Sequence, residues 1–253
     1  MRKIFLIGIG PGDPDQLTVA AVRAMNAVDV FIVVDKGEAK QELVALRETV
    51  LARHVARQDY RVATVSDPAR DRRAADYVGA VGDWRSARVA AFERVIAEQV
   101  GDDEVAAFLV WGDPSLYDST LGIVAELLAA GRVEFDYEVI PGVSAVSALV
   151  ARHRIALNRV SRPVAITPGR RLAEVLGSGI DDVVVMLDAH GEFAARDEPD
   201  LYIYWGAYVG TEQEILISGP VAEVAERILR VRARARERHG WIMDTYLLRR
   251  RPG

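Results

Sequence analysis

The chain has no cysteine, which excludes disulfides, thiolate metal sites and a cysteine nucleophile. Histidine is scarce. His54, His153, His190 and His239 are scattered, with no pair at the spacing that holds zinc, so the sequence predicts no metal site. No run reaches the roughly 20 apolar residues that span a bilayer. Met1-Arg2-Lys3 leads straight into a short strand-like segment and not into a signal peptide. A cytoplasmic protein without a membrane partner is the simplest expectation. A basic excess is also missing: the formal net charge is −5, which argues against nucleic acid as a partner. Low-complexity segments and internal repeats are absent.

What remains is an ordinary globular composition, 50% hydrophobic and 27% charged over 253 residues. That length builds one large α/β domain or two small ones. Strand-like and helical patterns alternate through the first part: strands at Lys3–Ile9, Val30–Val34, Arg61–Val65, Glu104–Val110 and Phe135–Ile140. Between them, helices are predicted around Leu17–Val28 and over Gln41–Arg53, Trp84–Gln99 and Thr120–Ala130, with another from Ser144 to Arg152. Asp13 with Gln16, or Thr18 alone, can cap the first helix. Continuous apolar strands in this rhythm imply a mainly parallel sheet covered on both faces. The second part has more strand per helix: Val164–Thr167, Asp182–Leu187, Leu201–Trp205, Glu214–Ile217 and Thr245–Leu248, with helices near Arg170–Leu176 and over Val221–Arg238. A mixed sheet is expected there. The predicted division is 1–160 and 161–253, inside Arg159–Pro163. Residues 67–83 are polar with alternating charge and read as a surface loop or a lid.

Three Gly/Pro turns fall at the carboxyl ends of predicted parallel strands, where doubly wound sheets bind ligands. They are Gly8–Pro14, Trp111–Asp118 and Pro141–Ala145. The first is close to a dinucleotide fingerprint, but Asp13 stands where a third glycine is needed and Pro11 removes an N–H donor. An aspartate there also repels phosphate. The turn suits a ligand without phosphate, one carrying positive charge.

A first strand ending in GxGPGD, a mid-chain GDP after an apolar strand and PGVSA after the next strand resemble the tetrapyrrole (precorrin/uroporphyrinogen) methyltransferase family over essentially the whole chain. The resemblance implies two α/β domains, mainly parallel sheet first and mixed sheet second, with S-adenosylmethionine in the cleft between them and S-adenosylhomocysteine as product. It implies cofactor contacts at Pro11, Trp111, Gly112, Asp113, Leu116, Ser144 and Ala145 from the first domain, and at Met186, Leu187, Gly206 and Ala207 from the second. It also implies a homodimer. Stretches such as Asp35–Glu38, Val110–Thr120, Ala151–Arg159, Met186–His190, Tyr204–Tyr208 and Gly240–Tyr246 resemble the members that methylate carbon 1 of precorrin-5 and release acetate in aerobic cobalamin biosynthesis. Another precorrin C-methyltransferase of the family is the alternative.

A tetrapyrrole with acetate and propionate arms calls for cations. From Val139 to Ala173 there is no Asp or Glu, yet Arg152, Arg154, Arg159, Arg162, Arg170 and Arg171 are there with His153. Arginine forks suit carboxylates. Arg152, Arg154 and Arg159, with Gly10, are therefore the substrate candidates, although a solvated surface explains any single arginine equally well. Methyl transfer depends on alignment, whereas attack of water on the acetyl carbonyl benefits from a general base. Candidates for that base are Asp35, Glu38, Asp113, Tyr117, Asp118, Asp188 and His190. Asp13 and Asp113 also read as turn formers. Two other classes compete. A nicotinamide-dependent oxidoreductase would use Asp35 for ribose but conflicts with Pro11 and Asp13. A non-catalytic corrinoid carrier would bind a tetrapyrrole without turnover.

Overall fold

The structure, a computed structural model, describes residues 1–35, 41–68, 77–196 and 198–251. Contacts divide it into two compact units, Met1–Gly10 with Pro14–Val143, and Pro11–Asp13 with Ser144–Gly253.

The first unit holds strands β1 (Arg2–Gly8), β2 (Val30–Asp35), β3 (Arg61–Ser66), β4 (Val105–Val110) and β5 (Phe135–Ile140). They form one sheet in the order β3-β2-β4-β1-β5, parallel throughout. Helices α1 (Val19–Met25), α2 (Gln41–His54), α3 (Tyr77–Gln99) and α4 (Thr120–Ala130) cover it. Strand period decides which face each residue meets. Ile4, Leu6, Ile32 and Phe108 pack with Phe92, Ile96, Ile123 and Leu127 of α3 and α4. Their sequence neighbours Phe5, Ile7, Phe31 and Leu109 pack with Ala21, Met25, Val50 and Leu51 of α1 and α2. The phenyl rings of Phe92 and Phe108 stack at 4.9 Å. Both faces are apolar because both are covered, which is why these strands read as continuous hydrophobic runs.

Thr18 caps α1 by accepting the Ala21 N–H at 3.0 Å, while Pro14–Gln16 forms a separate 3-10 turn. Helix α3 starts at Tyr77 and not at Trp84. Gly79 and Gly82, each weakening a helix by about 1 kcal/mol relative to alanine, disguise its first two turns. Of the predicted loop or lid at 67–83, residues 77–83 are therefore helix, and 69–76 lie outside the described residues.

The second unit has α5 (Ala145–His153), β6 (Val164–Pro168), α6 (Leu172–Gly177), β7 (Asp182–Met186), β8 (Leu201–Ala207), β9 (Ile215–Pro220), α7 (Val221–His239) and β10 (Asp244–Arg250). The sheet order is β6-β7-β10-β8-β9. Only β6 and β7 are parallel; the other three pairings are antiparallel. Trp205, Tyr246, Phe193, Ile203 and Leu248 form its core with Ile228 and Ala235 of α7. The units divide at Val143/Ser144, and not near residue 160. Helix α5 is the reason: Leu149 lies against Gly206 of β8, and the His153 ring bonds the Trp205 carbonyl at 3.0 Å.

Candidate functional site

In the first unit, β1 connects through α1 across β4 to β2, and β4 connects through α4 across β1 to β5. The two connections leave by opposite faces, since α1 and α4 lie on opposite faces. The carboxyl ends of β1 and β4 are thus the switch point at which open α/β sheets bind ligands. The predicted turns 8–10, 111–118 and 141–143 all lie at this edge.

Their backbones touch. Gly10 donates to the Gly112 carbonyl at 3.2 Å, and Gly112 donates back to Gly10 at 2.8 Å. Both glycines sit at positive φ, 75° and 68°, where a Cβ is penalised. A Cβ at Gly8 would lie 2.5 Å from the Gly142 nitrogen, and one at Gly142 would lie 2.1 Å from the Gly112 oxygen. Glycine is required where three turns meet without side chains. Asp113 stitches two of them. Its Oδ2 accepts the Gly142 N–H at 2.9 Å; its Oδ1 accepts the Ser115 N–H at 2.9 Å and also the Ser115 hydroxyl. Burial works to raise this carboxyl, but hydrogen bonds from Ser115 and Gly142 outweigh it and hold it below the usual aspartate range. Asp113 is a turn former with both oxygens engaged, not a base. Leu116 is half-buried beside it.

Beyond it, Tyr117 is exposed at φ 54°. Asp118 is also exposed and accepts the Thr120 N–H at 2.7 Å at the start of α4. Asp35 ends β2, its backbone in register with Ser66; its side chain, like Glu38, lies outside what is described.

In the second unit, Ser144 caps α5 by accepting the Ser147 N–H at 3.1 Å, with Ala145 as the first helical residue. Strand β7 delivers Met186, half-buried, and then Leu187. Leu187 stands at φ 53° with 66% of its surface exposed. A leucine held in left-handed backbone costs about 1 kcal/mol, and here it gains no burial. Asp188 enforces the turn. It accepts N–H groups from His190, Gly191 and Glu192 at 3.0, 2.8 and 2.8 Å, and the Tyr246 hydroxyl at 2.7 Å. Burial pushes the Tyr246 phenol well above its ordinary range, and Asp188 adds to this, so the hydroxyl stays a donor. Asp188 is fully engaged and serves as a brace, which removes it from the base candidates. His190 is exposed on the same turn. Beneath lies Arg232, which donates to the Asp188 carbonyl and pairs with Asp244 at 2.7 Å; Asp244 also accepts the Trp205 indole N–H at 2.8 Å.

Gly206 and Ala207 sit between β10 and β9 in the ladder. A Cβ at Gly206 would strike Val209 and Leu149, and Ala207 has no exposed surface. These two shape the core; neither presents a side chain to a ligand. Pro11 belongs to the second unit by its contacts.

The arginine-rich stretch reads differently in three dimensions. Arg152 pairs with Glu214 at 2.7 Å, which raises its pKa. The other Glu214 oxygen accepts the Gly210 N–H at 2.9 Å. Arg159 donates to Asp182 and to the Arg250 carbonyl, both at 3.1 Å. Asp182 starts β7, the opposite end of that strand from Met186, so Arg159 braces the far edge of the sheet and is withdrawn as a substrate contact. Arg154 is exposed and caps the carboxyl end of α5 at φ 55°. For His153, burial lowers the pKa despite its bond to Trp205, so it is neutral and supplies no cation.

Two arginines not predicted hold β4 and the turn that follows it from opposite faces. Arg88 of α3, 5% exposed, pairs with Asp67 at 2.9 Å and donates to the Ser119 hydroxyl at 2.7 Å. Arg47 of α2 donates through Nε to the Leu109 carbonyl at 3.2 Å. Nothing in their local sequence distinguishes either from a surface arginine.

The sequence matches the family described as Tetrapyrrole (Corrin/Porphyrin) Methylases over residues 3–225. It is 48% identical to a precorrin-6A synthase (deacetylating) of Sinorhizobium sp. across 99% of this chain and 96% of that protein. Among solved structures, CobF from Corynebacterium diphtheriae, described as related to cobalamin synthesis, is 37% identical with a TM-score of 0.86 and covers 99% of both chains. The Thermus thermophilus uroporphyrin-III C-methyl transferase, complexed with S-adenyl homocysteine, shares the fold at 20% identity and a TM-score of 0.60, over 97% of this chain and 96% of that one.

Proposed function

The chain belongs to the tetrapyrrole (corrin/porphyrin) methylases, and on that premise we propose that it methylates carbon 1 of precorrin-5 with S-adenosylmethionine and releases acetate, giving precorrin-6A in aerobic cobalamin biosynthesis. The observation that carries this reading is the whole-length similarity to a precorrin-6A synthase (deacetylating). The setting is the cytoplasm and the assembly a homodimer, as the family resemblance implies.

The residues suit this cofactor. The seam of Gly8, Gly10, Gly112 and Gly142 lets three strand-end turns pack backbone to backbone where a Cβ would collide, Pro11 offers no N–H, and Asp13 disfavours phosphate without disfavouring a sulfonium. When bound, S-adenosylmethionine supplies an electrophilic methyl group. In this reading Pro11, Trp111–Asp113, Leu116, Ser144–Ala145 and Met186–Leu187 hold the cofactor, and Leu187 keeps an exposed, strained position because it forms an apolar wall. Alignment contributes much of the rate of an in-line displacement. The water that releases acetate needs a base, and Tyr117, Asp118 and His190 are the exposed candidates left on the two turns.

Leu187→Ala is expected to weaken S-adenosylhomocysteine about 5- to 10-fold, since about 1 kcal/mol of apolar contact is lost, with no change in melting temperature. Calorimetric titration checks it; unchanged affinity removes Leu187 from the site. The reaction is tested by mass spectrometry of product made from precorrin-5 and methyl-labelled cofactor. One added methyl with loss of acetate is the expected result. A methyl gained without acetate loss assigns another precorrin C-methyltransferase activity.

A further inference from the structure

The connection between β8 and β9, residues 208–214, is held more firmly than a hairpin loop requires. Tyr208 opens it at φ 50°, a backbone region that disfavours bulky side chains, and its hydroxyl donates to the Trp241 carbonyl at 2.6 Å. Thr211 closes the turn. Its N–H and its hydroxyl both donate to the Tyr208 carbonyl, at 3.0 and 2.8 Å. The hydroxyl also accepts the Gln213 N–H at 3.2 Å, and the Thr211 carbonyl accepts the Glu214 N–H at 3.1 Å. With the hydroxyl engaged as donor and acceptor, the Thr211 methyl has one direction, and it faces Gly12. A Cβ on Gly12 would lie 2.4 Å from that methyl and 3.2 Å from the Gly210 carbonyl carbon and the Thr211 nitrogen. Pro11–Asp13 belongs to the second unit by its contacts, and the Gly210–Thr211 peptide is the surface on which it lies.

The same turn is anchored at its other end. Glu214 accepts the Gly210 N–H through Oε2 at 2.9 Å and Arg152 Nε through Oε1 at 2.7 Å. The Glu214 side chain is 10% exposed, whereas that of Arg152 is 54% exposed. An ion pair with a half-exposed member contributes little to overall stability. Its effect is on orientation: Arg152 fixes the Glu214 carboxylate, the carboxylate fixes Gly210, and the peptide that follows Gly210 meets Gly12. A carboxylate arm of the substrate would have to compete with Glu214 for this arginine.

We propose that the Gly210–Glu214 turn seats Pro11–Asp13 for the cofactor, and that Arg152 is a positioning residue acting on this seat through Glu214 and not a ligand of the substrate. The inference rests on the cofactor reading above, which uses Pro11 and Asp13. It gives Arg152 an effect on the cofactor without a contact to it.

The test combines calorimetry with S-adenosylhomocysteine, quenching of tryptophan fluorescence by uroporphyrin III, and kinetics with precorrin-5 and S-adenosylmethionine. Arg152→Met is expected to weaken S-adenosylhomocysteine about 5- to 10-fold and to raise KM for S-adenosylmethionine to a similar extent. Uroporphyrin III affinity and KM for precorrin-5 should stay within about twofold, and the melting temperature within about 4 °C. Arg152→Lys should recover part of the loss, because it keeps the charge beside Glu214 without the fork. Glu214→Ala should weaken S-adenosylhomocysteine at least as much as Arg152→Met. Adding Arg152→Met to Glu214→Ala should cost nothing further, since the two residues act along one line of contacts. Additive losses, equal losses for both ligands, or unchanged affinity for S-adenosylhomocysteine overturn the positioning role. A selective rise in KM for precorrin-5 overturns it as well and returns Arg152 to the substrate. If Glu214→Ala does not fold, Gly12→Ala decides. Alone it should weaken S-adenosylhomocysteine, and Thr211→Ser, which keeps the hydroxyl and removes the methyl 2.4 Å away, should restore part of the affinity. No restoration overturns the seat. Cofactor binding that depends on Arg152 without turnover of precorrin-5 overturns the assigned reaction alone. Failure of the wild type to bind S-adenosylhomocysteine overturns both.

Discussion

Gly142→Ala is expected to abolish methyl transfer, weaken S-adenosylhomocysteine by at least about 100-fold and lower the melting temperature by about 10 °C. The added carbon would sit 2.1 Å from the Gly112 oxygen and 2.8 Å from two backbone atoms of Gly8. The three nearest neighbours are all backbone, so none of them can rotate away. Overpacking of this kind costs about 3 kcal/mol or more, and each kcal/mol lowers the melting temperature by about 2–4 °C in a domain of this size. Moving the turn also withdraws the Gly142 N–H from Asp113, so all three strand ends lose register together. Gly131→Ala is the matched control. Its φ is +61° with nothing within 4 Å of the new carbon, so it should cost about 1 kcal/mol and leave activity intact. If Gly142→Ala binds the cofactor product as the wild type does, the seam does not form the site.

Arg232→Met should destabilise the protein by about 3–5 kcal/mol, the cost of stranding one member of a buried ion pair. The Arg232 and Asp244 side chains are 8% and 5% exposed. With Arg232 gone, Asp244 keeps only the Trp205 indole N–H among its bonds described above, and the Asp188 carbonyl loses its donor. The turn that presents Leu187 loses its support, so cofactor affinity should fall with stability. Arg232→Met combined with Asp244→Leu should recover part of the loss, because an apolar pair replaces a buried charge pair at little net cost, while the Trp205 indole N–H and the Asp188 carbonyl still lose these partners. Urea denaturation measures both. A single variant within about 1 kcal/mol of wild type would show that the pair is not a brace.

Much of this architecture is legible in the chain. The strands of the first unit announce themselves as unbroken apolar runs because helices cover both faces, and the three glycine turns follow from strand ends plus residues that tolerate left-handed backbone. The start of α3 is hidden by Gly79 and Gly82, whose weak helix propensity argues against a helix there. The unit boundary is hidden because the affiliation of α5 depends on Leu149 meeting Gly206, a contact between distant positions. The acid-free stretch 139–173 invites a cationic surface, yet its arginines find carboxylates farther along, at Asp182 and Glu214. Local charge counts do not reveal such partners. Arg47 escapes for the same reason: the Leu109 carbonyl it donates to lies on β4, far along the chain.

Strands β2 and β4 pair only at Val30–Ala106, Phe31–Ala107 and Ile32–Phe108, which gives the first unit a grain. One leaf of two strands, β2 and β3, is joined to a second leaf of three through a short row of hydrogen-bonded residues near the amino edge. The carboxyl edge is the side on which the two leaves share no ladder pairing. Amides of residues 33–35 should therefore exchange with solvent through smaller fluctuations than those of β1, which is clasped from both sides.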